Sequence, residues 1–246
     1  LGLIVGLFTV MYKIATSFSA VTDTLGTEFG VMGTSTNTVT SNLRSQRAEA
    51  TMLGKGIKEL VTITTNLSDQ FGIGLAQSSA MAGAVLDLSM AMGLSEEEGS
   101  KLYGTLVGIA GLTMDQAEFL AESTYQLAQA NNVNPSVVMK DMADSASTIA
   151  KFGADNLESI TKAAIQARKM GLNLKDVEGI ADNLLDFQNS LNKEIEASVI
   201  LGRDLNLQKA RELALTGDLS GMMDEVLKQV GGEAKFNEMN RLERQA

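Results

Sequence analysis

The chain has 246 residues, of which 44% are hydrophobic but only 4% aromatic, with a net charge of −10 and no His, Cys or Trp. Without Cys there are no disulfides, thiolate nucleophiles or Cys-based zinc sites, and without His the commonest general base is missing. The acidic balance argues against wrapping nucleic acid by phosphate neutralisation, and no sequence-specific nucleic-acid partner is expected.

The charge is unevenly placed. Residues 1–92 hold 5 basic and 6 acidic groups, and residues 93–246 hold the remaining 15 and 24. The chain opens on "LGLIVGLFTVMY", an apolar run of 12 residues ended by Lys13. A membrane-spanning helix needs roughly 20. Gly2 and Gly6 form a GxxxG on which Leu7 follows, a pattern that admits close helix approach. Residues 1–19 therefore read as a helix buried against protein or sister copies, with transient contact with a host membrane as the alternative. The chain starts on Leu and stops inside the helical-looking "FNEMNRLERQA", so it is expected to be a piece of a longer or processed protein.

"GTSTNTVTS" (residues 33–41) is rich in hydroxyl and β-branched side chains and reads as a linker. It lies within an apolar, Thr- and Gly-rich N-terminal region, 1–66, which is followed by an acidic helical module, 67–246. A weak amphipathic helix is expected over 42–66, interrupted at Gly54 and Gly56, followed by a small, apolar and buried helix over 76–92. Val85, Leu86 and Met90 on that helix are candidates for packing against another copy.

Beyond Gly93 the pattern is regular. Ser95 with Glu98 and Thr113 with Gln116 have the spacing of capping boxes, in which the cap oxygen accepts an orphan N–H and the third helical residue answers it. Asn134 precedes Pro135, a residue suited to the first helical position. Asp155 with Glu158 and Asn173 with Asp176 continue the series, and glycines such as Gly93, Gly111, Gly171 and Gly217 stand where helices stop. Helices are expected near 96–110, 114–131, 135–151, 156–170, 174–189, 191–201, 207–215 and 219–230. Gly104 and Gly108 fall inside the first of these, where each weakens the helix by roughly 1 kcal/mol relative to Ala. Close helix–helix contact, within the chain or between copies, is the simplest use of the missing side chains. Over residues 203–215, Arg203, Asp204, Lys209, Arg211 and Glu212 read as a solvated face, with Leu205, Leu207, Leu213 and Leu215 turned to a neighbour.

A 60-residue spacing relates Gly93 and Gly111 to Gly153 and Gly171. It fits either a duplicated unit, 93–152 and 153–212, or a simple recurrence of helices of similar length. No catalytic, cofactor or metal site emerges. "GKG" at residues 54–56 lacks the surrounding P-loop pattern. Glu96, Glu97 and Glu98 complement a helix dipole, and Asp182 and Asp186 lack the rest of a calcium loop. The expected fold is all-α: many short capped helices in hairpins or bundles, preceded by a longer apolar and irregular region.

"EIEASVILGRDLNLQKARELALTGDLSGMMDEVLKQVGG" and "FNEMNRLERQA" (Glu194 to Gly232, then Phe236 to Ala246) resemble segments of tail tape measure proteins and other structural proteins of T4-like and marine bacteriophages. "MGLSEEEGSKLYGTLVGIAGLTMDQAEFLAES" resembles the helical-hairpin region of such proteins. The resemblance covers about 93–246 and carries no catalytic residue. It implies a non-enzymatic virion component without a cofactor, lying in the tail lumen after assembly in the host cytoplasm. There it would set tube length and assist genome delivery on ejection. Its partners would be its own copies, as trimer or hexamer, and tail tube or baseplate hub proteins. A membrane-active translocator or pore-former, with residues 1–19 inserting, and a soluble helical adaptor are the competing classes.

Overall fold

The computed structural model of the chain describes residues 34–240, and over these the fold is all-α with no strand. Thirteen α-helices run in chain order: α1 Thr34–Met52, α2 Ile57–Phe71, α3 Leu75–Ala91, α4 Glu96–Tyr103, α5 Met114–Ala130, α6 Pro135–Asp144, α7 Ala146–Phe152, α8 Leu157–Lys169, α9 Leu174–Leu185, α10 Phe187–Leu201, α11 Gln208–Thr216, α12 Leu219–Val230 and α13 Glu233–Glu238. A π-helical segment, Gly104–Ile109, follows α4, and a 3₁₀ turn, Ala154–Asn156, precedes α8. Gly2, Gly6, Leu7 and the whole 1–19 segment lie outside the described residues. Contacts group the chain into two units that divide between Gly104 and Thr105, not near residue 66 where composition changes.

In the first unit α3 packs against α1, α2 and α4. Residues 34–41 are helical, which corrects the expected linker at 33–41. The reason is a helical stripe that crosses the supposed boundary: Val39, Leu43 and Ala50 are buried on one face of α1, at the spacing of an amphipathic helix. Two amides reinforce the docking. Asn42 Nδ2 donates to Ala76 O (3.2 Å) and Ser79 Oγ (3.0 Å). Gln46 Nε2 donates to Ser79 O and Ala80 O, each at 3.0 Å, and its Oε1 accepts from Gly83 N at 2.6 Å. The face of α3 expected to meet another copy is filled by this chain instead: Val85 and Leu86 are buried in the core, and only Met90 is partly exposed.

Gly104 is likewise used inside the chain. A Cβ there would stand 2.2 Å from the Phe71 ring of α2. The missing side chain thus seats Phe71, and no ridge for a neighbour forms at this end, although Gly108 is exposed. The same region leaves α-geometry, so the single expected helix 96–110 becomes α4 plus a π segment. Ala110 N donates to Thr105 O, five residues back, at 2.9 Å, and such π turns are rare.

In the second unit α8 and α12 form the centre, with α9 packed on both and on α11, and α6 set against α5 and α8. Ile160, Ala163, Ala164, Ala167, Leu219 and Met222 are buried there. The small residues of α8 allow close approach, and Met fills irregular gaps. Helix 135–151 is broken at Ser145, where φ −110° and ψ 36° leave helical geometry. The proposed repeat does not coincide with the folding units, because the division between Gly104 and Thr105 falls inside 93–152.

Candidate interaction surface

The helix ends absorb most of the polar residues singled out above. Ser95 Oγ accepts from Glu98 N (3.2 Å) while Glu98 Oε2 accepts from Ser95 N (2.9 Å). Thr113 with Gln116 and Asn173 with Asp176 form the same reciprocal pair. Asn134 Oδ1 accepts from Ser136 N at 3.0 Å, with Pro135 at the first helical position. The Asp155–Glu158 box does not form. The 3₁₀ turn delays helix entry to Leu157, so Asp155 lies too early to cap, and Glu158 turns outward to Lys162 (2.6 Å). The Lys162 ammonium holds the Glu158 carboxyl below its ordinary range.

The carboxylate-rich stretches are also taken up by structure. Glu96 pairs with Lys55 at 2.5 Å, which lowers the Glu96 pKa and raises that of Lys55. Glu97 pairs with Lys101 at 3.0 Å. Asp182 binds Lys151, and Asp186 caps α10 by accepting from Asn189 N (3.4 Å). Arg168 holds Asp141 through both carboxylate oxygens, yet burial pushes the Asp141 carboxyl above its ordinary range. Among the described residues no three His, Cys, Asp or Glu side chains are placed to hold a metal ion. None of the described helices is long and apolar enough to cross a membrane.

What remains is the α10–α11 surface. Arg211, expected on a solvated face, is 6% exposed. Its Nη2 meets Glu194 Oε2 at 2.5 Å and its Nε donates to Ser190 Oγ at 2.9 Å. Glu194 Oε2 also accepts from Leu207 N (3.2 Å), tying α10 to the start of α11. Asn206 Oδ1 accepts from Gln208 N at 3.1 Å, while the N-cap position of α11 falls on Leu207, which has no side-chain cap hydrogen bond. Arg203, Asp204, Lys209 and Glu212 are exposed as expected. Leu215, expected to face a neighbour, is 69% exposed instead.

The outer side of α10 carries a second apolar row. Phe187, Leu191, Ile195 and Val199 are 53%, 53%, 67% and 77% exposed. Its inner side, through Ala197 and Leu201, lines an apolar cavity of about 260 Å³ closed by Leu184, Val230 and Phe236. The row was missed because the expected boundary between helices at 189/191 separates Phe187 from the other three. The signal was present in "DFQNSLNKEIEASV": an Asp able to cap, followed by apolar residues at intervals of four.

Compared with protein-family models, with curated proteins and with solved structures, the chain matches none of them.

Proposed function

We propose that the chain is a structural, non-enzymatic component of a bacteriophage tail, a segment of a tail tape measure protein that sets tube length and assists genome delivery. The observation that carries this reading is the resemblance of Glu194–Gly232 and Phe236–Ala246 to segments of such proteins. Most of that stretch falls on α10–α13, a run of short helices in which Gly202, Gly217 and Gly231 adopt left-handed backbone at the helix ends. Each helix is closed by its own local hydrogen bonds, so a change of tertiary arrangement need not melt the helices themselves. The net charge of −10 repels DNA, which suits a chain that shares or vacates a DNA conduit. Its partners on this reading are its own copies, as trimer or hexamer, and tail tube or baseplate hub proteins, with the virion tail lumen as its site. The test is to delete 203–217 in the phage and image the particles. Loss of tail assembly, altered tail length or failed DNA delivery is expected. Particles normal in all three respects overturn the reading.

A further inference from the structure

We propose that the cavity between α9, α10, α12 and α13 is a binding site for a small, uncharged, hydrocarbon-like molecule of about ten carbon atoms. The proposal rests on this cavity alone and is independent of the tail reading.

Five pieces of the second unit wall the space, and each gives it an apolar side chain: Leu184 from α9, Leu201 from α10, Leu205 from the connection to α11, Val226 from α12 and Phe236 from α13. Its volume of about 260 Å³ is far above that of the few water-sized voids in a natural interior. An apolar cavity of about 150 Å³ stays dry and takes up benzene, so in proportion this one accommodates about ten carbons. The wall made by α13 suits an occupant of irregular outline. That helix has 6 residues, follows two glycines of positive φ, Gly231 and Gly232, and adds Met239, whose flexible thioether adapts to its neighbours.

The polar groups argue against water and against a charged ligand. A trapped water needs several polar partners. Four polar side chains reach the cavity, and each is bonded within the chain. Asn183 Oδ1 accepts from Lys193 Nζ (3.1 Å), and Asn183 Nδ2 donates to Gly179 O (2.9 Å). Ser190 Oγ accepts from Arg211 Nε, and Glu194 Oε2 accepts from Arg211 Nη2 and Leu207 N. The charge of Glu194 is thus met by Arg211, whereas Lys193 is exposed at the rim. What these side chains leave uncovered is hydrocarbon. Removal of apolar surface from water is therefore the force open to a ligand, and a charged group inside would be desolvated without a partner.

The test uses the full chain with labelled Ile, Leu, Val and Met methyl groups, and naphthalene, which has the matching carbon count, as the probe. Naphthalene is expected to shift the methyl resonances of Leu201, Val226, Val230 and Met239 saturably and to leave Leu60 and Ile63 of the first unit unmoved. Naphthalene sulfonate, the same rings with a charge, is expected to leave all of them in place. Ala197→Leu tests the size. Ala197 is buried and lines the cavity, so the added carbons occupy roughly a third of the space. Naphthalene affinity should then fall about tenfold or more, while that of benzene, which fits the space left, should change by less than about threefold. Circular dichroism shows whether Ala197→Leu folds, and if it does not, the methyl map of the parent chain decides alone. No saturable shift up to the solubility limit, shifts spread over both units, or equal binding of the sulfonate overturns the proposal. Undiminished naphthalene binding by folded Ala197→Leu protein also overturns it.

Discussion

Arg211 offers the sharpest test of the second unit. Its guanidinium is buried with Glu194 and Ser190 as its polar partners. Arg211→Met keeps the length and apolar stem of the side chain but strands the Glu194 carboxylate, whose side chain is only 17% exposed. Removing one partner of a buried pair costs about 3–5 kcal/mol. Glu194 keeps the Leu207 N–H (3.2 Å) and some contact with water, which places the expected loss at the lower end, about 3 kcal/mol. With a urea slope of about 2 kcal/mol/M, the unfolding midpoint should fall by about 1.5 M. The assay is urea unfolding followed by circular dichroism at the helix band.

The double variant Arg211→Met/Glu194→Gln separates loss of the pair from loss of packing. The Gln carbonyl still accepts from Leu207 N, and no charge is left in the interior. Replacing both members of a buried pair by neutral groups of similar volume is often close to neutral, so the double variant should return to within about 1 kcal/mol of the parent, a recovery of about 2 kcal/mol relative to Arg211→Met alone. The reasoning fails if Arg211→Met leaves the midpoint within about 0.2 M of the parent. It also fails if Glu194→Gln adds to the damage, because Arg211 would then stabilise by packing alone.

In the first unit, Gly104→Ala should destabilise by about 1–3 kcal/mol although Ala favours helices, because its Cβ would enter the Phe71 ring; adding Phe71→Leu should restore part of the loss in thermal unfolding. Gly217→Ala should cost more than Gly171→Ala, as both have positive φ but only Gly217 is crowded, by Asn156 Nδ2 at 2.6 Å and Phe152 O at 3.2 Å; equal losses would show that backbone strain alone decides. Asn173→Ala should lose about 1 kcal/mol of stability, while Asp155→Ala should stay within about 0.5, since only Asn173 caps a helix. The Glu96 carboxyl is lowered by Lys55, so its stabilisation is present above the ordinary carboxylate range and is lost as pH falls through the lowered value. Asp141 is raised by burial, so its ionisation opposes folding at neutral pH and acidification relieves that cost; Asp141→Asn should flatten this opposing component in stability measured from pH 7 to pH 3.

The helix ends were legible because capping is local. A box involves residues three apart, and Ser95, Thr113 and Asn173 act within their own turn, so composition and spacing are enough to find them. Asp155 shows the limit of that locality: one turn of 3₁₀ geometry shifts the frame and converts an apparent box into an exposed ion pair. The features that shape the surfaces depend on partners distant in sequence. Asn42 and Gln46 donate to carbonyls 33 or 34 residues away and to the Ser79 hydroxyl 37 residues away, and they turn a Thr-rich stretch that looks like a linker into a docked helix. Arg211 looks solvated until α10 places Glu194 beside it from 17 residues upstream. The apolar row on α10 failed to register for a different reason, since all four of its residues are local. A helix boundary set at 189/191 gave Phe187 to one helix and Leu191, Ile195 and Val199 to the next, whereas Asp186 starts a single helix that carries all four. An error of a few residues at a helix boundary leaves the fold class unchanged but conceals a face. Surfaces built from i, i+4 rows are therefore read more safely from the capping residue forward than from the expected length of the helix.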